Sequence, residues 1–198
     1  MAVAFDAATD GGEVLGTSLT FAHTCTGADR ALVVGIFVNS TTDHITGVTY
    51  AGSAMTRQST VSTGNVGRIY IYTLLAPASG ANNVVVSSAS TTFSAGAVSF
   101  TGVGAVSGVA SAVANTVNIV SQTGAMVVDM WAAYPATTQA SNQTARVGPV
   151  TDVLSTVRRG MSTAAGAASV TMSYTDTADD LIIGLSVDAV AASFLIMF

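Results

Sequence analysis

Lysine is absent from these 198 residues, glutamate occurs once, and charged side chains of every kind make up only 9%. Six arginines against eleven acids leave a net charge of −5, and Arg158 and Arg159 form the one adjacent basic pair. Binding a phosphate backbone needs clustered positive charge, so nucleic acid is not an expected partner. A single cysteine, Cys25, excludes an intrachain disulfide. The apolar runs are short: "ALVV" (31–34) and "FLIMF" (194–198) fall far below the ~20 residues of a membrane-spanning helix. The opening "MAVAFDAATDGG" lacks the basic region and long apolar core of a secretory signal, so the chain is expected either to be made for a cytoplasm or to have been trimmed. Two histidines and no Gly-x-Ser-x-Gly elbow leave no nucleophilic constellation, so no enzyme activity and no cofactor are expected.

What remains is serine, threonine, valine and glycine, a mixture that favours strands and turns over helices. Short β-branched or aromatic runs recur at 17–24, 31–38, 47–52, 68–75, 82–88 and 96–103, then at 115–120, 125–134, 153–160, 168–175 and 181–190. Strands at this spacing predict an all-β sandwich or barrel, and the length fits one domain, 1–198. The two sets resemble each other. "ALVVGIFV" (31–38) aligns without gaps on "AMVVDMWA" (125–132), and "ASGANNVVVSS" (78–88) on "AAGAASVTMSY" (164–174). This predicts an antiparallel jelly-roll β-sandwich of two pseudo-repeated halves, about 17–103 and 115–190, neither burying its inner face alone.

The segment 191–198 is different. As a strand it directs Phe194, Ile196 and Phe198 to one face and Leu195 and Met197 to the other, so both faces are apolar. An exposed strand of this kind would forgo about 1.5–3 kcal/mol per large side chain and leave an adhesive edge. These five residues are the expected interface.

The stretches "VTYAGSAMT" (48–56), "LLAPASGANNVVV" (74–86) and "AVSFTGV" (97–103) resemble a β-sandwich family of tailed-bacteriophage virion proteins. The likeness runs from Ser18 to Val103 and, more weakly, to Asp188. It implies a structural virion protein: a capsid decoration or cement protein on the outer shell, partnered by the major capsid protein and by itself. A homotrimer is the expected oligomer because shells present three-fold sites. The alternative is a receptor- or carbohydrate-binding module of a tail or fibre, in which Tyr70 and Tyr72, sharing a strand face, stack on sugar rings.

Other groups carry weaker chemistry. His23 and Cys25 share a strand face, with His44 and Asp43 as completing zinc ligands, but a half-buried thiol beside an imidazole is the plainer reading. Asp176, Asp179 and Asp180, and Asp6, Asp10 and Glu13, lack the alternating ligands of a calcium loop and read as solvated turns, so no metal is expected. Asn39 and Asn142 begin glycosylation sequons that read as turns. Tyr50 and Tyr134 are further aromatics, and Trp131 is assigned to the core.

Overall fold

A computed structural model describes residues 1–135, 139–175 and 179–191. Among them every regular element is a strand: β1 (Ala4–Cys25), β2 (Ala31–Val38), β3 (Ile45–Tyr50), β4 (Ser53–Ala54), β5 (Thr56–Thr63), β6 (Gly67–Leu75), β7 (Gly80–Thr101), β8 (Val103–Ala112), β9 (Thr116–Val120), β10 (Met126–Tyr134), β11 (Thr144–Thr151), β12 (Arg158–Ala165), β13 (Ser169–Ser173) and β14 (Asp179–Ala189). All named pairings are antiparallel.

The first half builds one sheet around two strands of 22 residues, β1 and β7, which pair from Ala4↔Thr101 to Cys25↔Gly80. On its other edge β7 takes β3 along Val84–Ser88 and β2 along Phe93–Phe100. Between those stretches the buried face changes parity: Val84 and Val86, then Phe93, Ala95 and Ala97, all enter one core. A register shift at Gly16/Ser18 on β1 lies opposite the change. Bulges bend strands, and here the sheet curls over itself, close to a barrel. The core it encloses holds Leu32, Val34, Ile36, Tyr50, Tyr70 and Tyr72.

The second half repeats the pairing. The order β1–β7–β2–β6–β5 of the first sheet returns as β8–β14–β10–β12–β11, with β9–β13 as a separate ribbon over it. Where β1 and β7 run on without a break, the second half interrupts each strand. The ribbon closes a small core of Val117, Ile119, Trp131, Met172 and Tyr174. Each half therefore encloses apolar side chains of its own on the side turned away from the other sheet. The third and largest core lies between the two sheets and includes Val33, Phe37, Ile71, Phe100, Met130, Met161, Ile183 and Leu185.

Strands β2 and β10 are central in their sheets, and that explains their largely apolar sequences, broken in β10 by Asp129: a strand covered on both faces has no wet side to mark with polar residues. Their faces are not equivalent, however. Ala31, Val33 and Phe37 point to the shared core, whereas Val128, Met130 and Ala132 do so from β10. The gapless alignment pairs odd with odd positions and so matches opposite faces, because a slip of one residue turns a strand over. The strand order places one chain half in each sheet and does not spell out the jelly roll; the antiparallel sandwich stands. The interface residues Phe194, Leu195, Ile196, Met197 and Phe198 lie outside the described residues.

Two glycine sites let layers approach closely. Gly35 and Gly96 pair across β2 and β7, and a Cβ on either would come within 2.8 Å of Met130 Sδ or Val147 Cγ1 from the facing sheet. Gly160 lies under Trp131, whose ring stacks on Tyr174 at 4.5 Å and whose Nε1 donates to Ser141 Oγ at 3.0 Å. A Cβ at Gly160 would meet Trp131 Cζ2 at 2.7 Å. The indole is held on both faces, so Gly160→Ala should destabilise the protein by about 1–3 kcal/mol through overpacking. Urea unfolding followed by Trp131 fluorescence measures it.

Candidate functional site

The turn from Asp152 to Val157 joins β11 to β12, is tied by several hydrogen bonds, and exposes large apolar groups. Asp152 N–H donates to Val157 O and Thr156 N–H to Asp152 O, each at 2.9 Å, with Thr156 at φ 57°. A non-glycine residue in that region is strained and persists only where its surroundings over-determine it. Here they do. Arg159, only 1% exposed, donates from Nε to both oxygens of the equally buried Asp152 (2.9 and 3.0 Å) and from Nη2 to Asp10 Oδ1 (2.8 Å). Ser94 Oγ donates to the same Asp152 carboxylate. Glu13 accepts from Leu154 N–H at 2.8 Å and Ser155 N–H at 3.1 Å. Burial pushes the Asp152 carboxyl above its ordinary range, while Arg159 and Ser94 pull against it.

Asp10, Glu13 and Ser94 come from the first half of the chain, Asp152 and Arg159 from the second. The network thus ties the two sheets together beneath the turn. Above it, Val153 is 83% and Leu154 57% exposed, with Tyr134 at 40% beside them. Tyr134, Pro135, Thr151, Asp152, Val153 and Thr156 line an open cleft of about 580 Å³. Arg158 braces its rim through Nε to Gln139 O (2.7 Å) and Nη1 to Thr151 Oγ1 (3.2 Å). A smaller polar cleft of about 210 Å³ is lined by Ser107, Ser121 and Asp188, of which Ser121 and Asp188 are tied through Ser186 by hydrogen bonds of 2.7 Å each.

The structure corrects the sugar-stacking reading of Tyr70 and Tyr72. They are 0% and 5% exposed inside the core of the curled sheet, so neither ring offers a face to a ligand. Both faces of that sheet are covered, which strand alternation alone does not reveal. Tyr70 donates to Asp43 Oδ1 at 3.1 Å, and burial with the Asp43 charge holds its phenol well above the usual range. Asp43 also takes Arg57 at 2.6 Å.

The remaining chemical candidates are engaged elsewhere. His23 and Cys25 are buried; His23 Nδ1 meets Thr9 Oγ1 at 2.9 Å, and burial pushes the imidazole down. Among the described residues no three His, Cys, Asp or Glu side chains converge as metal ligands. Asp6 accepts from Thr26 and Ser99, and Asp10 and Glu13 belong to the tie described above, so these acids serve as structural acceptors, Asp10 while still exposed. Asp180 is buried and accepts from Tyr174 Oη at 2.6 Å, while Asp176 lies outside the described residues. Trp131 is fully buried, as its apolar surroundings predict.

Sequence reasoning missed the Arg159–Asp152 tie. One signal was present: of two adjacent strand residues, one must point inward, so Arg158-Arg159 could not both be solvated.

No family model matches the chain, and no curated protein sequence matches it. A solved structure, the ANX2 ectodomain from Arabidopsis thaliana, is similar over 87% of this chain and 82% of that one, with 8% identity and a TM-score of 0.28, a likeness that carries no argument.

Proposed function

We propose that this chain is a non-catalytic structural protein that acts through surface contact, as a virion decoration or cement protein that binds coat subunits on an outer shell and associates with itself. The observation that carries the contact reading is the Asp152–Val157 turn, where a buried ion pair and a glutamate hold two large apolar side chains out in water. A rigid apolar projection binds with little ordering cost, the economy expected of an assembly surface. The finer assignment to a virion rests on the resemblance at 48–56, 74–86 and 97–103.

A second reading, a glycan-binding module, rests on Tyr134, exposed among the described residues and lining the cleft with Thr151 and Thr156. The two separate experimentally. Stoichiometric co-sedimentation of the protein with undecorated shells, and a rise in their melting temperature, supports the cement reading. Failure to bind shells, together with glycan-array binding that Tyr134→Ala abolishes, replaces it with the second.

A further inference from the structure

We propose that the cleft between Tyr134 and the Asp152–Val157 turn receives residues 192–198 of a second copy of this chain, so that copies join head to tail. This deepens the contact-protein reading and rests on it. The receptor is fixed and offers apolar groups among polar ones: Tyr134, Pro135 and Val153 line it together with Thr151, Asp152 and Thr156, Leu154 follows in the turn, and Glu13 and Arg159 hold that turn from below. The ligand is an apolar segment, with Phe194, Leu195, Ile196, Met197 and Phe198 in succession and no charge after Asp188. Aliphatic and aromatic side chains entering a preformed apolar cleft are the usual occupants of such sites.

Reach decides which copy supplies the tail. β14 pairs with β10 from Asp179↔Tyr134 to Val187↔Met126, and Val190 N–H then bonds Gly102 O. The chain therefore leaves the sheet at the Met126 end, while the cleft lies at the Tyr134 end. The ten steps from Asp179 to Ala189 cover about 33 Å. Seven extended residues span at most about 25 Å, so a copy's own tail falls short of its own cleft. A neighbour's tail does not meet this limit. Donor and acceptor are different surfaces on each copy, so the contact is heterologous and continues until a ring closes, a trimer being one such closure.

The test is a cross-link in trans. Val153→Cys and Phe198→Cys are made as separate proteins and mixed under mild oxidation; the native Cys25 is buried and does not compete. A mixed disulfide between the two is expected, with none when Val113→Cys, exposed elsewhere, replaces Val153→Cys. Sedimentation velocity should show the full chain as an oligomer, and both Leu154→Asp and a chain ending at Ala191 as monomers. A cross-link no stronger than the Val113→Cys control, or oligomers unchanged by both changes, overturns the proposal. Shell binding by a chain that is monomeric at every concentration overturns the tail contact alone, whereas a specific cross-link without shell binding retains the contact and overturns the cement reading.

Discussion

Asp129→Asn should make the protein several kcal/mol more stable at pH 8 and leave it nearly unchanged at pH 4. Asp129 is fully buried in the middle of β10, and its oxygens accept from Ser162 N–H at 2.6 Å and from Ser162 Oγ at 2.8 Å. Gln143 completes the surroundings, its amide nitrogen donating to Ser162 Oγ at 3.2 Å and to Ser173 O at 2.9 Å. No cation pairs with the carboxylate among the described residues. Burial pushes it up to about 7 from an ordinary 3.8, and the Ser162 hydrogen bonds only partly offset that. Because the folded state keeps its proton to higher pH than the unfolded state does, stability from this group is full below about pH 4. It falls as pH rises and is flat again above about 7. The interval corresponds to about 4 kcal/mol, a large share of the 5–15 kcal/mol typical of a domain. Asparagine keeps the acceptor for Ser162 N–H and never ionises. Urea unfolding at pH 4, 6 and 8 gives the comparison; equal pH dependence in the two proteins would show that Asp129 ionises freely in the fold.

That aspartate illustrates what a sequence displays and what it hides. "AMVVDMWA" marks β10 as doubly covered, since seven of its eight residues are apolar, but whether position 129 meets a partner depends on β12, 33 residues away. The all-strand character was legible in the lack of lysine, the single glutamate and the recurring β-branched runs, despite abundant alanine. Strand lengths were not: 82–88 and 96–103 read as two strands, yet β7 runs through both, bulging at Ser88, Ala89 and Ser90 opposite Thr17 while β1 stays paired on either side of the bend. The first half of β1 was missed because "TDGGE" has turn composition, although Gly12 and Glu13 pair with Ala95 and Ser94. "VLSTVRRG" reads as a strand from 153, whereas the chain turns until Val157, where Asp152 is captured by Arg159 and Ser94. Contacts that span 58 and 149 residues, Ser94 to Asp152 and Asp10 to Arg159, have no local signature.

The largest loss should follow Arg159→Met. The variant removes the cation and keeps most of the apolar stem, leaving the Asp152 carboxylate buried with only Ser94 to solvate it. Deleting one partner of a buried pair costs about 3–5 kcal/mol, most of it the uncompensated charge that remains. The link to Asp10, which is 38% exposed, contributes little by comparison. Removing the charge on both sides, in Asp152→Asn with Arg159→Met, should therefore recover much of the stability, because a neutral amide can still accept from Ser94. A double mutant no more stable than the single would mean that Arg159 acts by packing. Hydrogen exchange gives a second readout. In Arg159→Met the Leu154 and Ser155 amides, bonded to Glu13, should exchange faster than the strand amides of β12, because the tie that holds the strained turn at Thr156 has been cut from beneath. If the exposed Val153 and Leu154 bind through their fixed position, the single variant should also lose self-association in proportion to that loosening, and the double mutant should regain it only as far as the turn is held again.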